Sequence, residues 1–233
     1  MGKVFAVGVG PGSPLLITEE AKKIILDADY IIGYQYTLNT IQHLLDGKQV
    51  IVITMKNQES AYTKMATNLG EKSLVVPFTG DSNFSESEVV DRLIEIFGNV
   101  TIIPGISAIQ VAASRSRVPI DKARILTMHV TGSIEYQKRE MVKALSDEIS
   151  VIIIPRPWPN KPENHFMQSE IAHYLADQGF DTASLQTFVY ENLTTDIETE
   201  FVGVVKDLEG KEFSDLSIMV INKSKSKSYL EFD

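Results

Sequence analysis

Short apolar runs alternate with segments of helical periodicity along the first half of the chain. The runs have the length of buried strands, and the segments between them place apolar side chains three and four positions apart, as in Leu38, Ile41 and Leu45. Strands that alternate with helices in this way are typical of a parallel sheet covered by helices. The predicted strands are Val4–Val9, Tyr30–Ile32, Val50–Ile53, Leu74–Phe78 and Val100–Ile103.

The pattern changes after a helix of small residues that is predicted at Ile106–Ser114. Two strands and two helices alternate there, and three strands with short connections follow, which usually pair antiparallel. We therefore expect two α/β domains, a mainly parallel one over residues 1–115 and a mixed one over residues 116–233. The predicted elements of the second half are the strands Arg124–Val130, Ile149–Ile154, Leu185–Tyr190, Glu200–Val205 and Leu216–Ile221, and the helices Ile134–Leu145 and His165–Gln178.

Two of the helix starts carry capping signals. Thr18 precedes two glutamates, so it is predicted to cap a helix whose first turn is acidic. Ser85 is followed three residues later by Glu88, the spacing of a capping box, which predicts a second helix start at that point.

Composition and charge exclude several classes of protein. The 233 residues carry 22 Lys and Arg against 31 Asp and Glu, a net charge of −9, so adhesion to nucleic acid or to an anionic membrane is not expected. Because the chain has no cysteine, disulfides, thiolate metal sites and a cysteine nucleophile are excluded, and its four histidines lack metal-ligand spacing. No apolar run approaches the roughly 20 residues of a membrane helix, and we expect a cytoplasmic enzyme whose KSKSKS segment near the C-terminus is a solvated tail.

Three loops that contain glycine follow predicted strands of the first half. They are GVGPGS after the first strand, TGDS with Gly80 and Asp81 after the fourth, and PGIS with Ser107 and Ala108 after the fifth. Because the carboxyl ends of parallel strands lie at one edge of a sheet, where ligands bind, these loops are predicted to converge on one cleft.

Each loop also has a purely structural interpretation. The first can be a tight turn without a ligand, Asp81 can form an Asx-turn with its own backbone, and the small residues after Ser107 can serve helix packing. A dinucleotide site is disfavoured because Ser13 stands where the third glycine of its fingerprint is required, and no P-loop motif occurs. Since no familiar set of catalytic side chains is present, the loops suit a reaction whose reagent is already activated and has only to be positioned.

The motifs GVGPGSPLLIT, TGDSNF and PGISAIQ, in this order, resemble those of the tetrapyrrole (precorrin) methyltransferase family, and the resemblance covers nearly the whole chain. The pairing of PGISAIQ with ARILTMHV is similar to the cobalt-precorrin-7 C5-methyltransferase branch, whereas GYQYTL is similar to the C17-methyltransferase branch. The chain departs from the family where Ser82 replaces a proline, where Leu193 replaces a glycine, and where the arginine after His129 is missing.

The resemblance implies a fold, a cofactor and a reaction. The fold would be two α/β domains with S-adenosylmethionine in the cleft between them, and the reaction would be C-methylation of a corrin-ring precursor in cobalamin and porphyrin biosynthesis. It also implies a homodimer, and a separate subunit for any C15 methylation and decarboxylation. The cofactor residues that it implies are Pro11, Gly80, Asp81, Phe84, Ser107, Ala108, Pro155 and Leu193.

A corrin precursor carries many carboxylates, which a chain of net charge −9 would repel unless basic residues reverse the local field. The candidate substrate-binding residues are Arg115, Arg117, Arg124, Arg156 and Lys161. No metal site is expected in the protein itself, since any cobalt would belong to the substrate.

Two other functions remain open from the sequence. The same fold could act on another acceptor, such as another precorrin carbon, diphthine or ribosomal RNA, and the acidic composition counts against RNA. Alternatively, the departures at Ser82 and Leu193 could belong to a non-catalytic protein that binds a tetrapyrrole or an adenosyl ligand.

Overall fold

The computed structural model describes residues 2–157 and 164–223. The chain divides into two compact units, residues 1–108 and residues 109–233. The expected domain boundary after residue 115 falls within the helix Ala108–Ser116, at which the two units divide. The KSKSKS tail beyond Lys223, which the sequence predicts to be solvated, lies outside the described residues.

The first unit contains a five-stranded sheet in which all strands are parallel. Their order is β3-β2-β4-β1-β5, so β2 and β3 lie on one side of β1, β4 returns to the position between β2 and β1, and β5 lies on the other side of β1. The strands are β1 (Lys3–Gly8), β2 (Tyr30–Tyr34), β3 (Gln49–Ile53), β4 (Ser73–Phe78) and β5 (Thr101–Ile103), and the helices are α1 (Glu19–Asp27), α2 (Gln35–Thr40), α3 (Gln58–Asn68) and α4 (Ser87–Phe97).

Helices cover both faces of this sheet, because each strand alternates its apolar side chains between two cores. In β1, Val4 and Ala6 pack with side chains of α3 and α4, whereas Val7 packs with side chains of α1 and α2. The two-residue period of a strand produces this division. The carboxyl ends of all five strands therefore lie at one edge between two helical layers.

The second unit contains a five-stranded mixed sheet with the order β6-β7-β10-β8-β9. β6 and β7 are parallel, and the other neighbouring pairs are antiparallel. The strands are β6 (Ala123–Thr127), β7 (Ser150–Ile154), β8 (Gln186–Glu191), β9 (Thr199–Val204) and β10 (Ser217–Asn222), and the helices are α5 (Ala108–Ser116), α6 (Glu135–Ser146) and α7 (Gln168–Asp177). Short 3₁₀ turns in the chain occur at Pro14–Leu16, Gln42–Leu44, Ile120–Lys122 and Val205–Leu208.

The predicted fold class, with a parallel first sheet and a mixed second sheet, is confirmed. The prediction for Thr18 is also confirmed, since its hydroxyl accepts a hydrogen bond from the Ala21 amide at 3.1 Å. The prediction of a capping box at Ser85 is wrong. Ser85 takes a left-handed φ of 68° and Glu86 occupies the N-cap, because the loop turns sharply before the helix begins. Across the described ranges, no helix is long and apolar enough to cross a membrane.

Candidate active site

The loops that follow β1 and β4 are joined directly through their backbones. The Gly80 amide donates to the Gly10 carbonyl at 2.7 Å, and the Gly10 amide donates to the Gly80 carbonyl at 3.2 Å. Gly10 and Gly80 both have left-handed φ values, +82° and +75°, which only glycine adopts without strain. Two of the three loops predicted to converge are therefore hydrogen-bonded to each other.

The loop after β5 packs closely against the other two. A Cβ on Gly105 would lie 2.2 Å from the Gly80 carbonyl oxygen, and a Cβ on Gly8 would lie 2.6 Å from the Gly105 nitrogen. These distances are too short for any side chain, so glycine is required at both positions. All three glycine-containing loops of the first unit meet at the carboxyl edge of the parallel sheet, as the sequence predicts.

Gly80 faces the start of α5. A Cβ built on Gly80 would lie 3.7 Å from the Ser107 Cα and 3.9 Å from the Ala108 nitrogen, so a side chain there would enter the space between the β4 loop and the first residue of the helix. We call this space the Gly80 cradle. The N-terminal end of a helix favours polar and negatively charged ligand groups.

Asp81 uses its carboxylate within the protein. One oxygen accepts a hydrogen bond from the Asn83 amide at 2.7 Å, which is an Asx-turn, and the other accepts one from the Gly105 amide at 2.8 Å. The structural interpretation of Asp81 is therefore confirmed. A contact between Asp81 and a cofactor stays a prediction, and any such contact has to use the remaining lone pairs of the carboxylate.

The neighbouring loop residues differ in exposure. Ser82 is fully buried, and its hydroxyl has no hydrogen-bond partner among the residues that the structure describes. Pro11 and Phe84 are partly buried, and the Phe84 amide donates to the Asp81 carbonyl at 3.2 Å. Pro11 and Phe84 therefore have accessible surface in the loops that enclose the Gly80 cradle.

Two further candidate cofactor residues lie in the second unit. Pro155 is buried directly after β7, and Leu193 is buried in the turn between β8 and β9. Leu193 replaces the glycine of the family motif, but its own φ is not left-handed. The neighbours Asn192 and Thr194 take the positive φ values of this turn, 48° and 71°.

The candidate substrate-binding arginines have different environments. Arg115 forms an ion pair with Glu198, and Arg124 pairs with Glu140 at 2.6 Å. Arg117 is exposed and makes no ion pair within the described parts of the chain.

The remaining two basic candidates differ from these. Arg156 is only 2% exposed and donates to the Gly132 carbonyl at 3.0 Å, and burial lowers its pKa. Lys161 lies outside the described residues. No group of three or more His, Asp or Glu side chains that could hold a metal ion occurs in residues 2–157 and 164–223.

A narrow pocket that the sequence did not reveal lies next to the glycine loops, in the first unit. The volume inside it that a water molecule can occupy is about 10 Å³, so the pocket has room for about one water. Its polar lining comes from the ends of β2 and β4, from α2 and α3, and from the residue before α4. The polar lining residues are Tyr34, Tyr36, Thr37, Tyr62, Thr79 and Glu86.

Two of these side chains are unusual. Burial, together with the nearby charge of Glu88, raises the pKa of Glu86 to about 7. Tyr62 is fully buried, and its hydroxyl has no partner among the residues described. No local sequence signal marks the pocket, since its lining is gathered from five separate segments. The only hint is the position of Thr79, immediately before Gly80.

Comparison with known proteins places this chain in a family. The profile of the tetrapyrrole (corrin/porphyrin) methylases matches residues 3–209. The chain belongs to this family. The predicted family and the predicted class of enzyme, a methyltransferase, are thereby confirmed.

Individual relatives of this tetrapyrrole methylase have low sequence identity to it. A probable cobalt-precorrin-7 C(5)-methyltransferase of Methanocaldococcus jannaschii is 26% identical over 93% of the chain and 96% of its own length. The cobalamin biosynthesis protein CbiHC of Archaeoglobus fulgidus is 30% identical over 73% of the chain, which spans 40% of that longer protein. The crystal structure of the methyltransferase CobJ superposes with a TM-score of 0.79 at 17% identity, covering 95% of this chain and 94% of that one, and so supports the fold.

Proposed function

We propose that this methylase transfers a methyl group from S-adenosylmethionine to a ring carbon of a corrin precursor in cobalamin biosynthesis, and that the acceptor is C5 of cobalt-precorrin-7. The family supports the class of reaction. The similarity over almost the full length to the Methanocaldococcus protein supports the choice of carbon, as does the pairing of PGISAIQ with ARILTMHV.

The Gly80 cradle is the observation that carries this proposal. Three loops pack so tightly that Gly8 and Gly105 cannot bear a side chain, whereas a Cβ at Gly80 would fit in van der Waals contact with the backbone at the start of α5. Backbones packed this closely form a rigid, preformed surface, which costs little ordering entropy when a ligand binds.

The cofactor is proposed to contact the loops of the first unit and two positions of the second. Bound S-adenosylmethionine supplies an electrophilic methyl group, so the protein has only to hold donor and acceptor in line, with the reacting atoms about 3 Å apart, and to exclude water. No covalent intermediate with the protein is required. The proposed cofactor-binding residues are Pro11, Gly80, Asp81, Phe84, Ser107, Ala108, Pro155 and Leu193.

The substrate carboxylates are proposed to meet basic side chains of the second unit. Arg117 is the most accessible candidate, because it is exposed and has no carboxylate partner among the described residues. Arg115 and Arg124 would have to exchange Glu198 and Glu140 for substrate carboxylates, which is feasible because both arginines are well exposed, 40% and 51%. Arg156 is already buried, so we propose that it shapes the site from beneath.

Matched glycine substitutions test the Gly80 cradle. Gly80→Ala and Gly47→Ala both place a Cβ on a left-handed residue, with φ of +75° and +71°, and each costs about 1–2 kcal/mol of backbone strain. A Cβ at position 47 meets nothing within 4 Å, whereas one at position 80 enters the cradle.

Calorimetry with S-adenosylhomocysteine is the measurement. We expect a micromolar dissociation constant, about −8 kcal/mol, for the unmodified chain. We expect binding to weaken at least tenfold in Gly80→Ala and to stay unchanged in Gly47→Ala. Equal affinities of the two variants would remove the cradle from the site, and no binding by the unmodified chain at millimolar ligand would refute the proposed function.

The acceptor carbon is identified from the product. Incubation with cobalt-precorrin-7 and labelled cofactor, followed by mass spectrometry and NMR, should place the new methyl group on C5. The GYQYTL segment favours a second candidate, methylation of C17, so the C17 substrate is tested in parallel. Methylation of diphthine, or binding of a tetrapyrrole without turnover, would support one of the other functions that the sequence left open.

We also propose that the methylase is a homodimer that acts in the cytoplasm, and that any C15 methylation with decarboxylation is carried out by a separate subunit. The second unit exposes Ile197 by 70% and Val202 by 54%, and burial of such apolar side chains favours association. Phe201, on the same strand as Val202, is partly buried and packs edge-on against Phe213 with ring centroids 6.0 Å apart.

A further inference from the structure

The pocket that contains Glu86 shares an element with the glycine loops. Thr79 lines the pocket, and the next residue, Gly80, forms the paired hydrogen bonds with Gly10. Thr79 is itself fixed, because its hydroxyl lies 2.9 Å from the hydroxyl of Thr37. The pocket therefore lies within the first unit, at the same sheet edge as the Gly80 cradle and one residue away from it along β4.

Two polar groups of this pocket have no partner. The Glu86 carboxyl makes no hydrogen bond or ion pair with any residue in the described ranges, although it is partly buried. The hydroxyl of Tyr62, which is fully buried, also has none within these ranges. An unsatisfied buried polar group costs about 1–3 kcal/mol, so the Tyr62 hydroxyl points to an occupant of the pocket, such as one water, which the partly buried Glu86 carboxyl could also meet.

The other side chains of the pocket are not positioned to take this role. The hydroxyl of Tyr34 lies 3.1 Å from both the Gln58 Oε1 atom and the Met55 sulfur, so it has partners already. Tyr36 stacks on Tyr34 with ring centroids 5.7 Å apart. Glu86 is the only carboxyl group among the residues that line this pocket of the described chain.

We propose that Glu86 accepts the proton that the acceptor carbon loses during methylation. This deepens the proposed function and rests on it. The ring carbon forms a bond to the methyl group while the bond between that methyl group and sulfur breaks, and the electron pair of the broken bond stays on sulfur. The carbon then loses its hydrogen as a proton, the pair of the C–H bond returns to the macrocycle, and a carboxylate oxygen of Glu86 takes the proton directly or through one water.

The surroundings of Glu86 suit proton acceptance near neutral pH. Its pKa of about 7 results from burial and from Glu88, its neighbour on α4. Tyr34, Tyr36 and Tyr62 face it from β2, α2 and α3, and they stay protonated at neutral pH because burial raises each of their pKa values. The positive charge of Arg92, on α4, works against this rise in the pKa of Tyr34 and of Tyr62. A base is most effective when its pKa lies near the working pH, because it is then deprotonated and still binds a proton well.

Glu86→Gln tests the proposal, and Glu88→Gln is its matched control. Both substitutions remove one carboxylate from the start of α4, but Glu88 is exposed and lies outside the pocket. We expect Glu86→Gln to lower kcat by a factor of about 10²–10⁴, the usual contribution of a general base. The affinity for S-adenosylhomocysteine should change by less than twofold, and Glu88→Gln should keep its kcat.

The pH profile separates a catalytic role from a structural one. In the unmodified chain, kcat should fall below about pH 7. In Glu88→Gln this limb should remain but move to lower pH, because the charge of Glu88 helps to raise the pKa of Glu86, and in Glu86→Gln the limb should be absent. A Glu86→Gln variant with unchanged kcat and an unchanged pH profile would overturn the role of Glu86 while leaving the proposed function intact. If the unmodified chain binds no S-adenosylhomocysteine, the proposed function fails and this role fails with it.

Discussion

Replacement of Asp81 by alanine should destabilise the first unit, because the Asp81 carboxylate holds two loops together. Its bond to the Asn83 amide is exposed, so water can replace the lost acceptor, whereas its bond to the Gly105 amide is partly buried. A hydrogen bond to a charged group contributes about 1.5–3 kcal/mol where it is shielded from water, and the exposed bond contributes less, about 0.5–1 kcal/mol, because water competes for it. We therefore expect a loss of about 2–4 kcal/mol in the free energy of unfolding.

Urea denaturation followed by circular dichroism measures this loss, and thermal denaturation should show a decrease of about 5–15 °C in Tm. Asp81→Asn keeps one acceptor oxygen and should lose less. Asp91→Ala is the control, since Asp91 is exposed on α4 and makes no ion pair among the residues described, so its change should stay within about 0.5 kcal/mol. If Asp81→Ala behaved like Asp91→Ala, the argument that these two hydrogen bonds hold the loops would be wrong.

The same variants test the cofactor contact of Asp81. If Asp81 also contacts the cofactor, Asp81→Ala should weaken binding of S-adenosylhomocysteine by about ten- to a hundredfold, as expected for a lost charged hydrogen bond. If Asp81→Ala lowers the free energy of unfolding but leaves the affinity for S-adenosylhomocysteine unchanged, Asp81 has only a structural role in the loop.

Three further predictions concern packing, pH and assembly. Gly105→Ala should destabilise the protein by about 1–3 kcal/mol or more in urea denaturation, because its Cβ would lie 2.2 Å from the Gly80 oxygen, whereas Gly132→Ala, with open space around it, should be neutral. The pKa of Glu86 is raised from 4.5 to about 7, so its contribution to stability is complete below pH 4.5 and is lost as the pH rises through 7. Between pH 5 and pH 8 the unmodified chain should therefore lose up to about 3 kcal/mol that Glu86→Gln keeps, and parallel pH dependences would contradict this. Light scattering at tens of micromolar should give the mass of a dimer, and Ile197→Asp with Val202→Asp should reduce it to that of a monomer, so a monomeric unmodified chain would rule out the homodimer.

The convergence of the glycine loops could be predicted without a structure. Apolar runs that alternate with helical segments indicate parallel strands, and parallel strands place their carboxyl ends at one edge. Any loops that follow such strands must lie there, so the positions of Gly10, Gly80 and Gly105 in the sequence were sufficient. The family could be predicted for the same reason, since its motifs are these loops.

The roles of individual side chains in those loops required the structure. Asp81 accepts a hydrogen bond from Gly105, which is 24 positions further along the chain, and no local pattern encodes that contact. Ser85 and Glu88 have the spacing of a capping box, but the left-handed turn at Ser85 moves the start of the helix to Ser87. The geometry of the whole loop outweighed the local preference, which is worth only about 1 kcal/mol.

The sequence by itself determined the two α/β units, the parallel direction of the strands in the first sheet and the edge at which the site forms. These features follow from the periodicity of apolar residues and from the alternation of strands with helices, which are local properties. Only the tertiary structure decided which polar groups lose their water. Glu86 has an unusual pKa, and the Tyr62 hydroxyl has no partner within the described residues, because segments from separate parts of the chain pack around them. Desolvation depends on everything that surrounds a group, so no pattern of neighbouring residues along the chain could have shown it.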